Sequence, residues 1–318
     1  MKKMLPLAAA LFSSLAFSAE INLKFAHIYP PEHAYHKGAE YLSSEVEKRT
    51  EGAISISIFP AGQLGDEKAM ADGIRRGGVD ISFVGPGEIS KRYPAMSVIE
   101  APFIFQNYEH GRRVLDSDQL QSMYDEMEKV TRSKLLSVNY YGARQITSNK
   151  PIESADDLLD MKLRTPDMPI YFDTLRALGA RPTPMSLSEV YLALSQGVVD
   201  GQENPVPTIY EQRFYEVQKY VALTNHIMAF TPLLMSERSF NKLPEEYQQT
   251  IKEVAVETQE LIDGLNLAVE QDKIEEMKER GVVFTQPNQA SFVEKIQPVI
   301  EKYSSAWGED KYKTLSQL

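Results

Sequence analysis

AISISIFPAGQLGDEKAMADGIRRGGVDISFV, Ala53 to Val84, is the stretch that decides the fold class. Ile54, Ile56 and Ile58 alternate with small residues, the period of a strand with one buried face. A turn follows, then a helix from about Asp66 to Arg76 that Gly77-Gly78 stops. Val79 to Val84 is the next strand, running into the loop Gly85-Pro86-Gly87. Upstream, INLKFAHIY (Ile21–Tyr29) reads as a buried strand ended by Pro30-Pro31, with a helix from about His33 to Arg49 closed by Gly52. Strand, helix, strand, helix, strand is the alternation of a parallel α/β sheet.

The pattern repeats further on. After an apolar segment at Val98–Phe105 and helices near Tyr108–Leu115 and Gln119–Thr131, a strand is expected at Lys134–Tyr140, with Gly142 marking a crossover into a second unit. There Ser154 and Asp157, and again Ser186 and Glu189, have the spacing of capping boxes. Leu163-Arg164 ends a strand and Met168–Leu178 is a helix. Val199-Asp200 leads into Gly201-Gln202-Glu203-Asn204-Pro205, which rhymes with Val79-Asp80 and Gly85-Pro86-Gly87. Ligands in open α/β sheets sit outside the carboxyl ends of the strands, so two such loops would face one crevice. His226–Ser236 is a strand returning to the first lobe. Pro244–Arg280 is one helical pattern of roughly 55 Å, long enough to brace both lobes. The last segment, with the single Trp307, is expected to close the second lobe.

The expected fold is therefore α/β and two-lobed, with a mixed sheet in each lobe and a long helix spanning both. Residues 1–19 are read as a signal peptide: Lys2 and Lys3 precede an apolar run too short to span a bilayer, with small residues at its end. Lobe I takes 20–141 plus about 227–265, and lobe II takes 142–226 plus about 266–318. The ligand cleft lies between them. An exported protein of the periplasm follows, and no later stretch is apolar enough to cross a membrane.

The formal charge of −11, about −13 without Lys2 and Lys3, argues against nucleic acid as a partner. Zero cysteines exclude thiol chemistry and disulfides. No P-loop and no G-x-S-x-G elbow occur, and no cofactor is called for. His33 and His36, at i and i+3 on a helix start, lack an evident third metal ligand. They read as ligand hydrogen-bonding groups or as a plain helix start.

Arginine carries the functional signal. Arg164 stands at a strand end flanked by apolar residues, and its rigid five-donor fork is a natural receptor for a carboxylate. Arg144 follows a buried strand and a Gly, where a surface ion pair is the ordinary alternative. For Asn204, between Glu203 and Pro205, the ordinary alternative is turn chemistry.

YGARQITSNKPIES, MKLRTP, ALGARPTPMSLSEVYLALSQGVVDGQENP and FYEVQKYVALTNH closely resemble the substrate-binding proteins of the tripartite ATP-independent periplasmic (TRAP) transporters. FAHIYPPEHAYHKGAEYL, FPAGQLGDE and VDISFV agree more loosely. The resemblance implies two lobes closing on an organic acid and membrane subunits as partners. A monomer that is not an enzyme is expected. It also implies that Arg164 forms the two-pronged salt bridge with the ligand carboxylate, supported by Arg144 and Asn204.

The first lobe departs from the sialic-acid branch. Gly85 and Glu88 stand where those binders carry Glu and Arg. The loop and the histidines look more like branches taking sugar acids such as D-glucuronate or D-galacturonate. His33, Asp72, Gln63 and the Gly87 backbone are the candidates for hydroxyl contacts. Sialic acid, a C4-dicarboxylate, or a periplasmic enzyme acting on sugar acids remain the alternatives, although no second arginine is evident in the first lobe for another carboxylate.

Overall fold

The computed structural model describes residues 21–318, and the expected signal peptide lies outside the described residues. In the first lobe β1 (Ile21–Ala26), α1 (Ala34–Arg49), β2 (Ile54–Phe59), α2 (Glu67–Arg76) and β3 (Ile81–Phe83) follow the expected alternation. The strands β2, β1 and β3 are parallel neighbours. Caps set the helix starts: the His33 ring accepts from the Tyr35 N–H and the Asp66 carboxylate from that of Ala69. Gly77 ends α2 in the left-handed region at φ 73°. A short α3 (Pro86–Ser90), α4 (Tyr108–Leu115) and α5 (Gln121–Thr131) complete this part. Pro94–Glu100 forms a 3₁₀ turn whose Met96, Val98 and Ile99 enter the core.

The next strand differs from expectation. β4 does not stop at Tyr140 but runs from Ser133 to Ser148, through both lobes. Gly142 is a kink inside it, at φ +125°, with a register shift between Tyr140 and Gly142. A side chain there would collide with Pro205, its Cβ 2.6 Å from the proline Cβ. The kink's exposed backbone groups are taken up by the long helix: Asp263 Oδ1 accepts from the Tyr140 N–H at 2.6 Å, and Asn266 Nδ2 donates to the Tyr140 carbonyl at 2.7 Å.

In the second lobe follow β5 (Lys162–Thr165), α6 (Pro169–Ala177), β6 (Arg181–Pro184), α7 (Val190–Ser195), β7 (Gly201–Pro205), α8 (Val206–Glu211) and β8 (Tyr220–Ala222). Both expected capping boxes form, at Ser154–Asp157 and Ser186–Glu189. β9 (Met228–Ser236) then returns to pair antiparallel with β3 and with the first part of β4. A short α9 (Glu237–Phe240) leads to α10 (Glu245–Glu279), with Gly264 accommodated without a break.

Each lobe holds a mixed sheet, and β4 belongs to both. The first sheet runs β2-β1-β3-β9-β4. In the second, β6, β5 and β7 lie on one side of β4 and β8 on the other, with β10 (Val283–Thr285) outside β8. Ile251, Val254 and Ile262 of α10 enter the first-lobe core, whereas Ile274 and Met277 pack with Val190, Ile209 and Phe214 of the second. The helix braces both lobes.

The C-terminal segment is shared rather than confined to the second lobe. α11 (Gln289–Lys295) buries Phe292 among second-lobe residues. Trp307, at the end of α12 (Gln297–Trp307), and Leu315 of α13 (Lys311–Ser316) join the first-lobe core. The indole needs a partner for its N–H when buried, and Ser97 Oγ of the first lobe accepts it at 2.9 Å.

Candidate functional site

Between the lobes lies a cavity of about 840 Å³. The second lobe lines it with Arg144, Arg164, Met168, Tyr171, Met185 and Asn204, and the first lobe with Tyr29, Glu67, Gly85, Glu88 and Glu100. Lys91 of the first lobe pairs with Asp167 of the second at 3.1 Å, and the Tyr171 hydroxyl donates to Glu100 Oε1 at 2.7 Å. The two walls are already in contact.

Arg164 sits in β5 between β6 and β7, which fixes its backbone on both sides. It is 3% exposed. Its Nε and Nη2 donate to the Met185 carbonyl at 3.1 and 2.7 Å, and among the described residues no carboxylate pairs with it. Burial lowers its pKa to about 10, so the cation persists at neutral pH. A buried guanidinium held only by a neutral carbonyl has charge to offer an anion.

Arg144 is committed differently. Its Nε and Nη2 meet the Glu203 carboxylate, with Nη2 also on the Glu203 carbonyl at 2.8 Å and on Asn204 Oδ1 at 3.2 Å. Its plane lies 4.9 Å from the Tyr171 ring centroid. Burial works against both charges of this pair, but the mutual attraction outweighs it, raising the Arg144 pKa and lowering that of Glu203. His226 Nε2 stands 3.5 Å behind the same carboxylate. Asn204 is held by Gln202, whose Oε1 accepts from Nδ2 at 2.6 Å.

Gln202, Glu203 and Asn204 form a buried polar strand rather than the loop their composition suggests. Asn and Gly disfavour strands in isolation, and the Arg144 partnership overrides that propensity. Asn204 is therefore a strand residue on the cavity wall, not part of a turn.

The first-lobe candidates fare differently. His33 is buried behind the wall, stacked 4.5 Å from the Tyr29 ring centroid. Its Nδ1 caps α1 and its Nε2 faces Thr208 and Glu211 at 3.5 and 3.6 Å. Burial, then His27 and Lys37, lower its pKa to about 3, so it is neutral. His36 bonds His27 at 3.1 Å instead of facing the cavity. Asp72 is taken up by Lys68 and Arg92, at 3.1 and 2.5 Å, and stands off the wall. Gln63 is exposed in the turn before α2, also off the wall. Gly87 packs directly behind the lining: a Cβ there would meet Met168 Sδ at 2.6 Å and Glu100 Oε2 at 3.0 Å.

Glu67 and Glu100 are the site residues that sequence reasoning passed over, since acidic residues in an acidic chain carry no signal. Glu67 Oε1 accepts from the Gly85 N–H at 2.5 Å. Glu100 Oε2 is buried beside the Gly87 backbone and meets no hydrogen-bond partner at normal geometry among the described residues. Burial, the largest influence on each, raises Glu67 to about 7 and Glu100 to about 8. Among the described residues no three metal-ligating side chains converge.

Residues 25–306 match the family described as bacterial extracellular solute-binding protein, family 7. The chain belongs to that family, the solute-binding proteins of TRAP transporters. It is 33% identical over 274 residues to the sialic acid-binding periplasmic protein of Vibrio cholerae, covering 86% of this chain and 85% of that one. The solved TRAP periplasmic solute-binding protein of Pseudomonas putida F1 with bound D-glucuronate superposes with a TM-score of 0.89 at 30% identity, covering 93% and 97% of the two chains. That of Roseobacter denitrificans with bound L-galactonate gives 0.88 at 29% identity, covering 94% and 99%. Proteins of this family are periplasmic, bind small organic acids and work with membrane subunits. They serve transport rather than catalysis. Among the described residues no helix is long and apolar enough to cross a membrane.

Proposed function

We propose that this protein captures a sugar acid, a uronate such as D-glucuronate or D-galacturonate, and delivers it as a monomer to the membrane subunits of its transporter. One observation carries the reading: Arg164 is a buried cation on the cavity wall whose only hydrogen-bond partner among the described residues is a carbonyl. Its fork receives the ligand carboxylate, while Arg144 and Asn204, positioned by Glu203 and Gln202, support it. The cavity of about 840 Å³ exceeds what a carboxylate alone requires, leaving room for a hydroxylated body among Tyr29, Tyr141 and Tyr171. Solved relatives with glucuronate and galactonate support the choice of ligand class.

Capture is binding, not turnover: the anion is buried, paired and hydrogen-bonded, and the lobes close over it. Lys91–Asp167 and Tyr171–Glu100 are the contacts that closure makes. Native mass spectrometry of freshly purified protein should show a retained acid of uronate mass, and calorimetry should give a micromolar or tighter constant. Binding of sialic acid with rejection of both uronates would replace the reading by that of the Vibrio cholerae relative. Conversion of the bound acid to a new product would replace it by an enzyme.

A further inference from the structure

The first-lobe wall carries more carboxyl groups than capturing an anion would suggest. Glu67, Glu88 and Glu100 all line the cavity, and the last two are each 3% exposed. Glu88 Oε2 pairs with Lys91 at 2.7 Å, but its Oε1 has no partner. Glu100 accepts from Tyr171 on Oε1, and its Oε2 has no partner among the described residues. Glu67 and Glu100 converge on Gly85: a Cβ there would lie 2.9 Å from Glu67 Oε1 and 3.9 Å from Glu100 Oε1.

The cations around the cavity are already spoken for, with one exception. Arg144 is neutralised by Glu203, Lys91 is shared between Glu88 and Asp167, and Lys68 pairs with Asp72. Arg164 alone among the lining cations has no carboxylate partner within the described residues. One ligand carboxylate neutralises it. A second would enter a buried wall of acids with no cation left, where like charges repel strongly once Glu67 and Glu100 are ionised. A ligand hydroxyl has the opposite effect, since it can donate to the Glu100 carboxylate, which lines the cavity and has spare acceptor capacity.

We infer that Glu100, with Glu67 beside it, is a specificity element: it accepts a hydrogen bond from a ligand hydroxyl and excludes acids bearing a second carboxylate. The inference rests on the sugar-acid reading above and narrows it to polyhydroxy monocarboxylates. Gly85 is part of the device, because any side chain there would displace the Glu67 carboxylate.

The test compares matched ligands by calorimetry on the folded protein at about pH 8.5, where Glu67 is ionised and Glu100 predominantly so. D-glucuronate and D-gluconate are set against D-glucarate, and D-galacturonate and D-galactonate against galactarate. Each dicarboxylate differs from its aldonate only in one oxidised end, and from its uronate in that end and in the ring the uronate closes. The monocarboxylate that binds best should exceed its dicarboxylate by about 100-fold or more. Glu100→Gln, whose amide can donate to an anion, should narrow that gap about tenfold or more. Glu67→Gln is the second variant, and thermal melting confirms that each is folded. A wild-type protein that binds a dicarboxylate within about threefold of its monocarboxylate overturns the inference. So does an undiminished gap in both folded variants. Wild-type protein that binds none of the four monocarboxylates removes the sugar-acid reading itself, a separate result.

Discussion

Arg144 lays its guanidinium on the Glu203 carboxylate in the interior, both side chains being 5% exposed or less. The pair joins β4 to β7 and sets Asn204 and Tyr171 around it, while Arg164 nearby is left without such a partner. One arginine is already paired within the protein, and the other is available.

Removing Glu203 should therefore destabilise the fold rather than free a second anion receptor. Glu203→Gln leaves the Arg144 charge buried and unpaired, at a cost of about 3–5 kcal/mol. Urea unfolding would show it as a lowered midpoint with unchanged slope. A midpoint equal to wild type would contradict the buried-pair assignment.

Arg164→Lys should act on binding and spare stability. Lysine keeps the charge but loses the fork, and the loss of one charge-assisted hydrogen bond is worth about 1.5–3 kcal/mol, or about 10- to 150-fold in affinity. Calorimetry with D-glucuronate measures it. An unchanged constant would remove Arg164 as the anchor.

Stability should fall as the pH rises from about 6.5 to about 8. Glu67 and Glu100 have folded-state pKa values raised to about 7 and about 8 from 4.5, so the folded protein holds protons that the unfolded chain has released. That contribution is complete below 4.5 and is lost as the pH passes the folded values. Glu211, raised to about 7, acts with them. His27 and His33 act in the opposite sense: lowered to about 3 from 6.5, they add stability as the pH rises, but only up to 6.5. Above that point the carboxyl effect is unopposed. Urea midpoints between pH 6.5 and 8.5 should decline, and Glu100→Gln should flatten the upper part of the decline.

Gly142→Ala should strain the place where β4 passes from one lobe to the other. The residue has φ +125°, and the new methyl would meet Pro205 at 2.6 Å. A cost of about 1–3 kcal/mol is expected from the backbone conformation alone. Since Pro205 adjoins Asn204, ligand affinity should fall as well. Full stability and affinity in this variant would show that the kink is not required.

Much of this architecture was legible along the chain because it is local. The Ile54–Ile56–Ile58 alternation, the Ser154 and Ser186 caps, and the Gly77 stop are short-range effects, and each appears where its residues predict it. Gly142 misled because a glycine in a strand pattern signals a boundary as readily as a kink. Only the pairing of β9 with the first part of β4 and of β7 and β8 with the last shows which it is. Trp307 misled because chain order says nothing about which lobe a final helix reaches.

By itself the sequence determined the alternation of strands and helices and the helix long enough to cross both lobes, while its family resemblance pointed to Arg144, Arg164 and Asn204, which line the second-lobe wall. The elements follow from periodicity and capping chemistry, and the three residues from motifs shared with a known family. The tertiary structure alone decided which arginine is paired and which is free, why His33 and Asp72 stand off the cavity, and that Glu67 and Glu100 face it. The physical reason is that charge compensation and burial depend on neighbours distant in the chain. Arg144 meets Glu203 across 59 positions and Tyr171 meets Glu100 across 71, and no local pattern encodes either.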